Sequence, residues 1–523
     1  MLKRRALHLF WAFLGAVFSP VIVAQATVPS RTFTFRMSAE PETLDWNRAH
    51  TPMENYVLMN IMEGLLTFDR DLKVIPALAQ SFTLSRDRKT YTFKIRPGVQ
   101  WTDGVELTAQ DFVYSWKRLL SPLTAASYAY LLFDVKGAEA FYKGKNSDFS
   151  GVGISAPDRH TLQVTLNKPI PYWEYIPTFW VTFPLRQDVV EKYGSSWETP
   201  GRMVTLGPYT LNSHDIDSKI TLHANPRYYG KRGNIQDVVG QIVQDDSTAL
   251  SLYEAGKLDL LTDISSIDLR RMSKRPDLKV FPYLKTGYMG LVVSKFPLTN
   301  IRVRRAIAMA IDRTKFDAIL HGGQQRASSF IPPHMMGYAA KMGLPFDPEL
   351  ARIELRNAGF GASRPLELEL VVPNNDKTLT IAQFIQEQLK KNIGARVTLQ
   401  SFDHKTFRSQ LDLHSYPLFV LSWSADYPDP DNFLSLFLGG AGNNRTTWKD
   451  DSYDQLVVGA RGGTTLRERE GKYLRAQKIL LQDQAAVLPL YYEPNLALVR
   501  PRVKGLDINP LNYLVLKEVN LAN

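Results

Sequence analysis

Hydrophobic and polar positions change period several times along the chain, and each change marks an element. The sharpest block runs from 366 to 423. Leu366, Leu368, Leu370 and Val372 alternate, as in a strand with one buried face. From 378 to 393 the spacing lengthens to that of a helix: Ile381, Ile385, Leu389 and Ile393 share one face, and Gly394 is placed to end it. A strand over 395–400, a short helix over 405–413 and an apolar strand over 418–423 follow. Strand, helix, strand, helix, strand predicts a parallel α/β sheet with right-handed crossovers.

The rest of the chain carries shorter signals of the same kinds. Thr32-Phe-Thr-Phe-Arg-Met and Tyr91-Thr-Phe-Lys-Ile-Arg96 alternate as strands, and Val57, Ile61 and Leu65 predict a helix over 54–66. Thr108 is a helix N-cap ahead of Phe112, Trp116 and Leu119. The run 283–293 is long, extended and aromatic, and looks like a crossing into another unit. Asn300 caps a helix carrying Val303, Ile307 and Ile311, which places Arg302, Arg304, Arg305 and Arg313 mostly on its outer face. A last helix is predicted over 466–484.

Length changes the picture first: 523 residues exceed one hydrophobic core, so two or three units are expected. Lys3, Arg4 and Arg5, an apolar run over 9–18 and Ala24-Gln25-Ala26 have the order of a secretory signal peptide cleaved after Ala26. There is no cysteine, hence no disulfide and no lipidated N-terminal cysteine, which favours a soluble periplasmic protein. The formal charge of +11 falls to +8 without Lys3, Arg4 and Arg5, and it is spread thinly, with no nucleic-acid-binding arm.

Candidate chemistry gathers where the strand over 418–423 ends. Pro428 and Pro430, each without an N–H donor, stop the ladder and stiffen a loop holding Asp426, Asp429 and Asp431. In open α/β sheets ligands sit beyond the C-terminal ends of strands, so Asp426 is placed to meet a cationic group such as an amine. An ordinary Asp/Pro turn is the competing reading. Enzyme signatures are missing: there is no G-x-S-x-G, no H-E-x-x-H, no phosphate-binding G-x-x-x-x-G-K-[ST] and no thiol. Gly151-Val-Gly-Ile-Ser-Ala156 is followed by Pro157 and a strand, so no helix N-terminus meets a dinucleotide there. The acidic loop lacks the central Gly and terminal Glu of a calcium loop. Carboxylates paired only in space, as in a hydrolase, stay open. The profile favours a binding protein.

An ordered set of segments resembles the oligopeptide-binding proteins of ABC transporters, the extracellular solute-binding protein family 5. They are Glu40-Pro-Glu-Thr-Leu-Asp45, Glu63-Gly-Leu-Leu66, Ala77-Leu-Ala-Gln-Ser-Phe82, Tyr91 to Gly104, Thr108 to Arg118, Leu206-Gly-Pro-Tyr209, Asn225-Pro-Arg-Tyr-Tyr229, Val303-Arg-Arg-Ala-Ile307 with Asp312-Arg313, and Trp423 to Phe433. The resemblance implies an α/β type II periplasmic-binding fold: two lobes joined by hinge crossings, with an extra domain inserted in the first. It implies a signal peptide at 1–26, the first lobe at 27–63, 191–284 and 501–523, the inserted domain at 64–190 and the second lobe at 285–500. The run 283–293 would be a hinge strand.

In peptide-binding members the Asp of Trp-x-x-Asp-Tyr pairs with the peptide α-amine while the flanking main chain pairs with the peptide as an added strand. By this resemblance Asp426 is the amine partner, with Trp423, Ser422, Ser424 and Tyr427 beside it. Tyr128, Tyr283 and Tyr288 match cleft tyrosines. The chain departs from the family at Val420 (an arginine there), His404 (a cleft tryptophan) and Glu493 (a cleft tyrosine), which opens the question of how a ligand's carboxyl end is held. The expected function is a non-enzymatic, monomeric receptor without metal or cofactor. It captures short peptides and passes them to a membrane ABC permease. The alternatives are the same fold binding a metal chelate, opine, sugar or murein fragment, and a secreted hydrolase.

Overall fold

The computed structural model describes residues 31–463 and 465–522; the signal peptide expected at 1–26 lies outside them. Two large sheets form the two lobes. The first has seven strands, in the order Leu278–Phe281, Asn495–Val499, Leu260–Thr262, Thr32–Met37, Asp237–Ile242, Lys219–Ala224, Tyr209–Asp215. The second has six, in the order Gln325–Arg326, Val487–Tyr492, Lys285–Leu291, Leu418–Ser424, Glu367–Pro373, Arg396–Phe402. A separate four-stranded sheet, Ala79–Leu84, Thr90–Ile95, Thr161–Thr165 and Ile154–Asp158, belongs to chain inserted between the first and later strands of the first lobe.

The α/β block read from the sequence folds as predicted. Glu367–Pro373 runs parallel to Arg396–Phe402 and to Leu418–Ser424, with helices Asp376–Ile393 and His404–Asp412 as crossovers. Asn375 caps the first helix through its side chain, and Gly394 ends it in the left-handed conformation at φ 69°. Ile381, Ile385 and Leu389 are fully buried; each such side chain stabilises the lobe by about 1.5–3 kcal/mol. In the inserted domain, helix Ala109–Leu119 begins with a capping box of Thr108 and Asp111 and buries Phe112, Trp116 and Leu119. The helix expected over 54–66 is shorter, Pro52–Ile61, because Met62 is already extended.

Two expectations give way. The run 283–293 is not itself a crossing. Residues 282–284 make the passage, and Lys285–Leu291 is an interior strand of the second sheet, antiparallel to both neighbours. Its apolar content reflects burial on two faces, which leaves the same sequence trace as a spanning segment. The return passage also comes before 500: Asn495–Val499 already pairs in the first sheet, so only 493 and 494 cross back.

The arginines were expected mostly on an outer face, but Arg304 and Arg313 are buried. Arg304 donates to the carbonyls of Leu298 (2.7 Å) and Gln484 (2.9 Å), and Arg305 to those of Gln482 and Asp483. The last helix is regular only over Leu466–Lys478 and then widens at Ile479–Asp483, and these guanidinium groups satisfy its terminal carbonyls. Arg313 donates to Ala327 (3.0 Å). Burial pushes both Arg304 and Arg313 down to about 10.

Candidate functional site

Strand Leu418–Ser424 has its C-terminal end at the crossing from the first lobe, where Ala425 N donates to the Leu284 carbonyl at 2.9 Å. On one side it pairs along its whole length with Lys285–Leu291. On the other, pairing with Glu367–Pro373 stops at Phe419. Residues 420–424 therefore present an unpaired edge, and Ser422 on it is exposed. An open edge of this kind can take up an extended chain as a further strand.

The loop beyond the strand separates its three aspartates by their partners. Asp429, 3% exposed, receives both contacts from Arg469 Nη2 at 2.8 and 2.9 Å. Asp431, 1% exposed, pairs with Arg461 at 2.7 Å and accepts from Tyr427 at 3.3 Å. Tyr427 is itself buried and stacks on Tyr172 of the inserted domain at 5.2 Å. These groups brace the loop and are satisfied within the protein.

Asp426 is different. Its carboxylate accepts from Tyr128 Oη and Tyr130 Oη, each at 3.4 Å, and from Asn432 Nδ2 at 3.1 Å. No ion pair among the described residues includes it. Burial pushes its carboxyl up to about 6, against the three hydrogen bonds that favour the charged form. Asn432, which the sequence reading missed, holds the corner: its Oδ1 accepts from Asp426 N at 3.1 Å and from Trp423 Nε1 at 2.9 Å. Tyr128 and Tyr130 are raised well above the ordinary tyrosine value by burial and by Asp426, so their hydroxyls stay protonated as donors. Tyr513 lies in the same field, and its buried hydroxyl has no hydrogen-bond partner among the described residues. The arrangement is a recessed negative group ringed by neutral donors, electrostatically suited to a cation.

The other sequence-selected residues divide. Tyr283 Oη and Ser424 Oγ are hydrogen-bonded at 3.1 Å where the chain crosses between lobes. Tyr128 packs edge-on to Phe179 and Trp180. Tyr288 does not reach the cleft. It is 4% exposed, with its ring against Phe330, Phe419 and Phe437, so it fills the core. His404 opens helix His404–Asp412, and its side chain lies outside the described residues.

Beside the crossing is an interlobe cavity of about 420 Å³, walled by Tyr56 and Asp263 from the first lobe and by Lys285 and Lys377 from the second, with Tyr283 and Glu493 from the crossings. Among the described residues no group of His, Asp or Glu is placed to hold a metal, and no helix is long and apolar enough to cross a membrane.

Residues 73–445 match the family model of bacterial extracellular solute-binding proteins, family 5. The chain belongs to that family. It is 31% identical to the probable deoxycholate-binding periplasmic protein YgiS of Escherichia coli, covering 94% of each chain. It is also 31% identical to the periplasmic oligopeptide-binding protein OppA of that organism, again over 94% of each. Among solved structures, Haemophilus influenzae OppA in complex with RPPGFSPFR superposes with a TM-score of 0.80 at 28% identity, covering 95% of this chain and all of the other. The two-lobed architecture with its inserted domain is thus the type II periplasmic-binding fold of family 5.

Proposed function

We propose that this family 5 protein is a periplasmic peptide receptor. It captures short peptides in the interlobe cleft and hands them to an ABC permease in the membrane. The observation that carries this reading is Asp426, a recessed carboxylate with three neutral donors and, among the described residues, no ion-pair partner, at the end of an open strand edge. The peptide ammonium group pairs with Asp426, and its main chain lies along residues 422–424. Trp423, Ser422, Ser424, Tyr128 and Tyr283 line its path; Tyr427 acts by bracing the loop. Main-chain pairing gives affinity without reading side chains, so many sequences are accepted. Contacts made to both lobes only in the closed form drive closure. The protein works as a monomer after removal of residues 1–26 and returns its ligand chemically unchanged.

The deciding experiment is calorimetry with short peptides. A charge-assisted bond to Asp426 contributes about 1.5–3 kcal/mol, so Asp426→Ala weakens binding by roughly tenfold to a few hundredfold. Acetylating the peptide amine has a similar effect on the wild type. Equal affinity of Asp426→Ala and wild type, or recovery of cleaved peptide, would sink the reading. So would binding of deoxycholate in place of peptides.

A further inference from the structure

A second cavity lies away from the cleft. It measures about 250 Å³ and opens on the seam between the inserted domain and the C-terminal stretch of the chain. One wall is the hairpin of strands Leu66–Phe68 and Val74–Pro76, and the other is the segment 505–518. No residue between 179 and 504 lines it, so the second sheet, which falls wholly within that span, takes no part. Lobe closure therefore leaves the cavity intact. Its walls are also pinned. Asn60, fully buried on helix Pro52–Ile61, donates to the Leu514 carbonyl at 2.7 Å and accepts from Leu516 N at 2.8 Å, which fixes the tail against the helix.

The lining is apolar where it could have been closed. Met59, Phe68, Ile75 and Val515 all face the cavity and are only half-buried. They come from three separate segments and converge without covering one another. Apolar residues on an ordinary surface are scattered singly, whereas a ligand pocket gathers them in a concavity with a few polar groups at its edge.

The rim is charged, and its cations are already engaged. Arg70 pairs with Glu518 at 3.8 Å, and Lys517 turns to Glu63, outside the lining, at 3.3 Å. Asp69 accepts from the backbone amides of Asp71 at 3.0 Å and Lys73 at 2.9 Å, so it serves its own turn. Asp507 is half-buried and has no ion-pair partner among the described residues. An anionic guest would meet three carboxylates with no cation at liberty to receive it, and a neutral guest would leave Asp507 unmet. A cation completes the rim.

We propose that this cavity binds a small ammonium compound with an apolar body, the body lying among Met59, Phe68, Ile75 and Val515 and the charge against Asp507. At about 30 Å³ for each water-sized group, the space takes roughly eight non-hydrogen atoms. That is a single ring with a short aminoalkyl arm, and it is too small for a peptide. The site is separate from Asp426 and is open whether or not the cleft is occupied.

Ligand-observed NMR titration of the full mature chain tests this with three compounds of similar shape: 2-phenylethylammonium, 2-phenylethanol and phenylacetate. Asp426→Asn is the background throughout, so that the amine site does not hold the ammonium. The ammonium should bind about tenfold more tightly than the alcohol, the worth of one charge-assisted bond, and phenylacetate more weakly than either. Asp507→Asn should bring the ammonium level with the alcohol. Ile75→Trp, which fills the cavity from its hairpin wall, should abolish binding of all three; Val515→Phe fills it from the tail and takes its place if Ile75→Trp does not fold. Equal binding of ammonium and alcohol overturns the proposal, as does a preference that persists in Asp507→Asn, binding that survives the filling variants, or failure of all three compounds to bind.

Discussion

Replacing Asp426 by asparagine should make the empty protein more stable at neutral pH while weakening its hold on peptides. The carboxyl is raised from 3.8 to about 6 by burial. In the unfolded chain it ionises near its ordinary value, so between about pH 4 and pH 6 the folded state binds more protons than the unfolded one. Stability consequently falls as pH rises through that window, and the whole penalty is present above about pH 6. A shift of about two pH units corresponds to roughly 3 kcal/mol at 1.36 kcal/mol per unit. Partial solvent access at the cleft screens the group and brings the expectation to about 1–3 kcal/mol. Asparagine keeps the shape and an acceptor for Asn432 while removing the titration. Urea unfolding of both proteins at about pH 4 and about pH 7 isolates this carboxylate, because every other group cancels in the double difference. Asp426→Asn should gain on wild type only at the higher pH. No gain, or a loss, would mean that the carboxylate already has a cation or is freely hydrated, and the amine site would have no basis. The same protonation predicts that peptide affinity declines as pH drops below about 6, approaching tenfold per unit.

Arg469→Met leaves Asp429 buried without its partner and should destabilise the second lobe by about 3–5 kcal/mol, read as an earlier urea midpoint; replacing both residues with apolar ones should recover most of that loss. Ile385→Ala opens a cavity under helix Asp376–Ile393 and should lose about 2–5 kcal/mol while leaving peptide affinity unchanged in the fraction that folds.

The sequence made the second lobe's core legible because burial there follows a strict period. Leu368 and Leu370 alternate with glutamates on the strand, Ile381, Ile385 and Leu389 recur every fourth residue on the helix, and all are buried. Sheet order was not legible, since nothing local says that Asn495–Val499 returns to the first sheet. Within the acidic loop the three aspartates look alike in sequence. Asp429 and Asp431 differ from Asp426 only through Arg469 and Arg461, whose positions depend on how a later helix pair packs. Asn432 could have been noticed as an amide one turn beyond the loop, close enough to cap it. Tyr283 and Tyr288 are five residues apart, an odd spacing that favours opposite faces of an extended segment, and one of them does lie in the core. Lys285, Lys377 and Glu493 come from three distant segments, and only the folded crossing assembles them.

The placement of Asn495–Val499 bears on how the chain is made. That strand lies between Leu260–Thr262 and Leu278–Phe281, bonded to both. As the polypeptide emerges from its N-terminus, the first lobe must wait, its sheet split at that gap, until some two hundred later residues have been delivered. The second lobe, by contrast, has all its strands in hand by Tyr492. The later half of the molecule can therefore be complete while the earlier half is unfinished, and a nascent chain arrested before residue 495 would carry two exposed strand edges for chaperones or proteases to find.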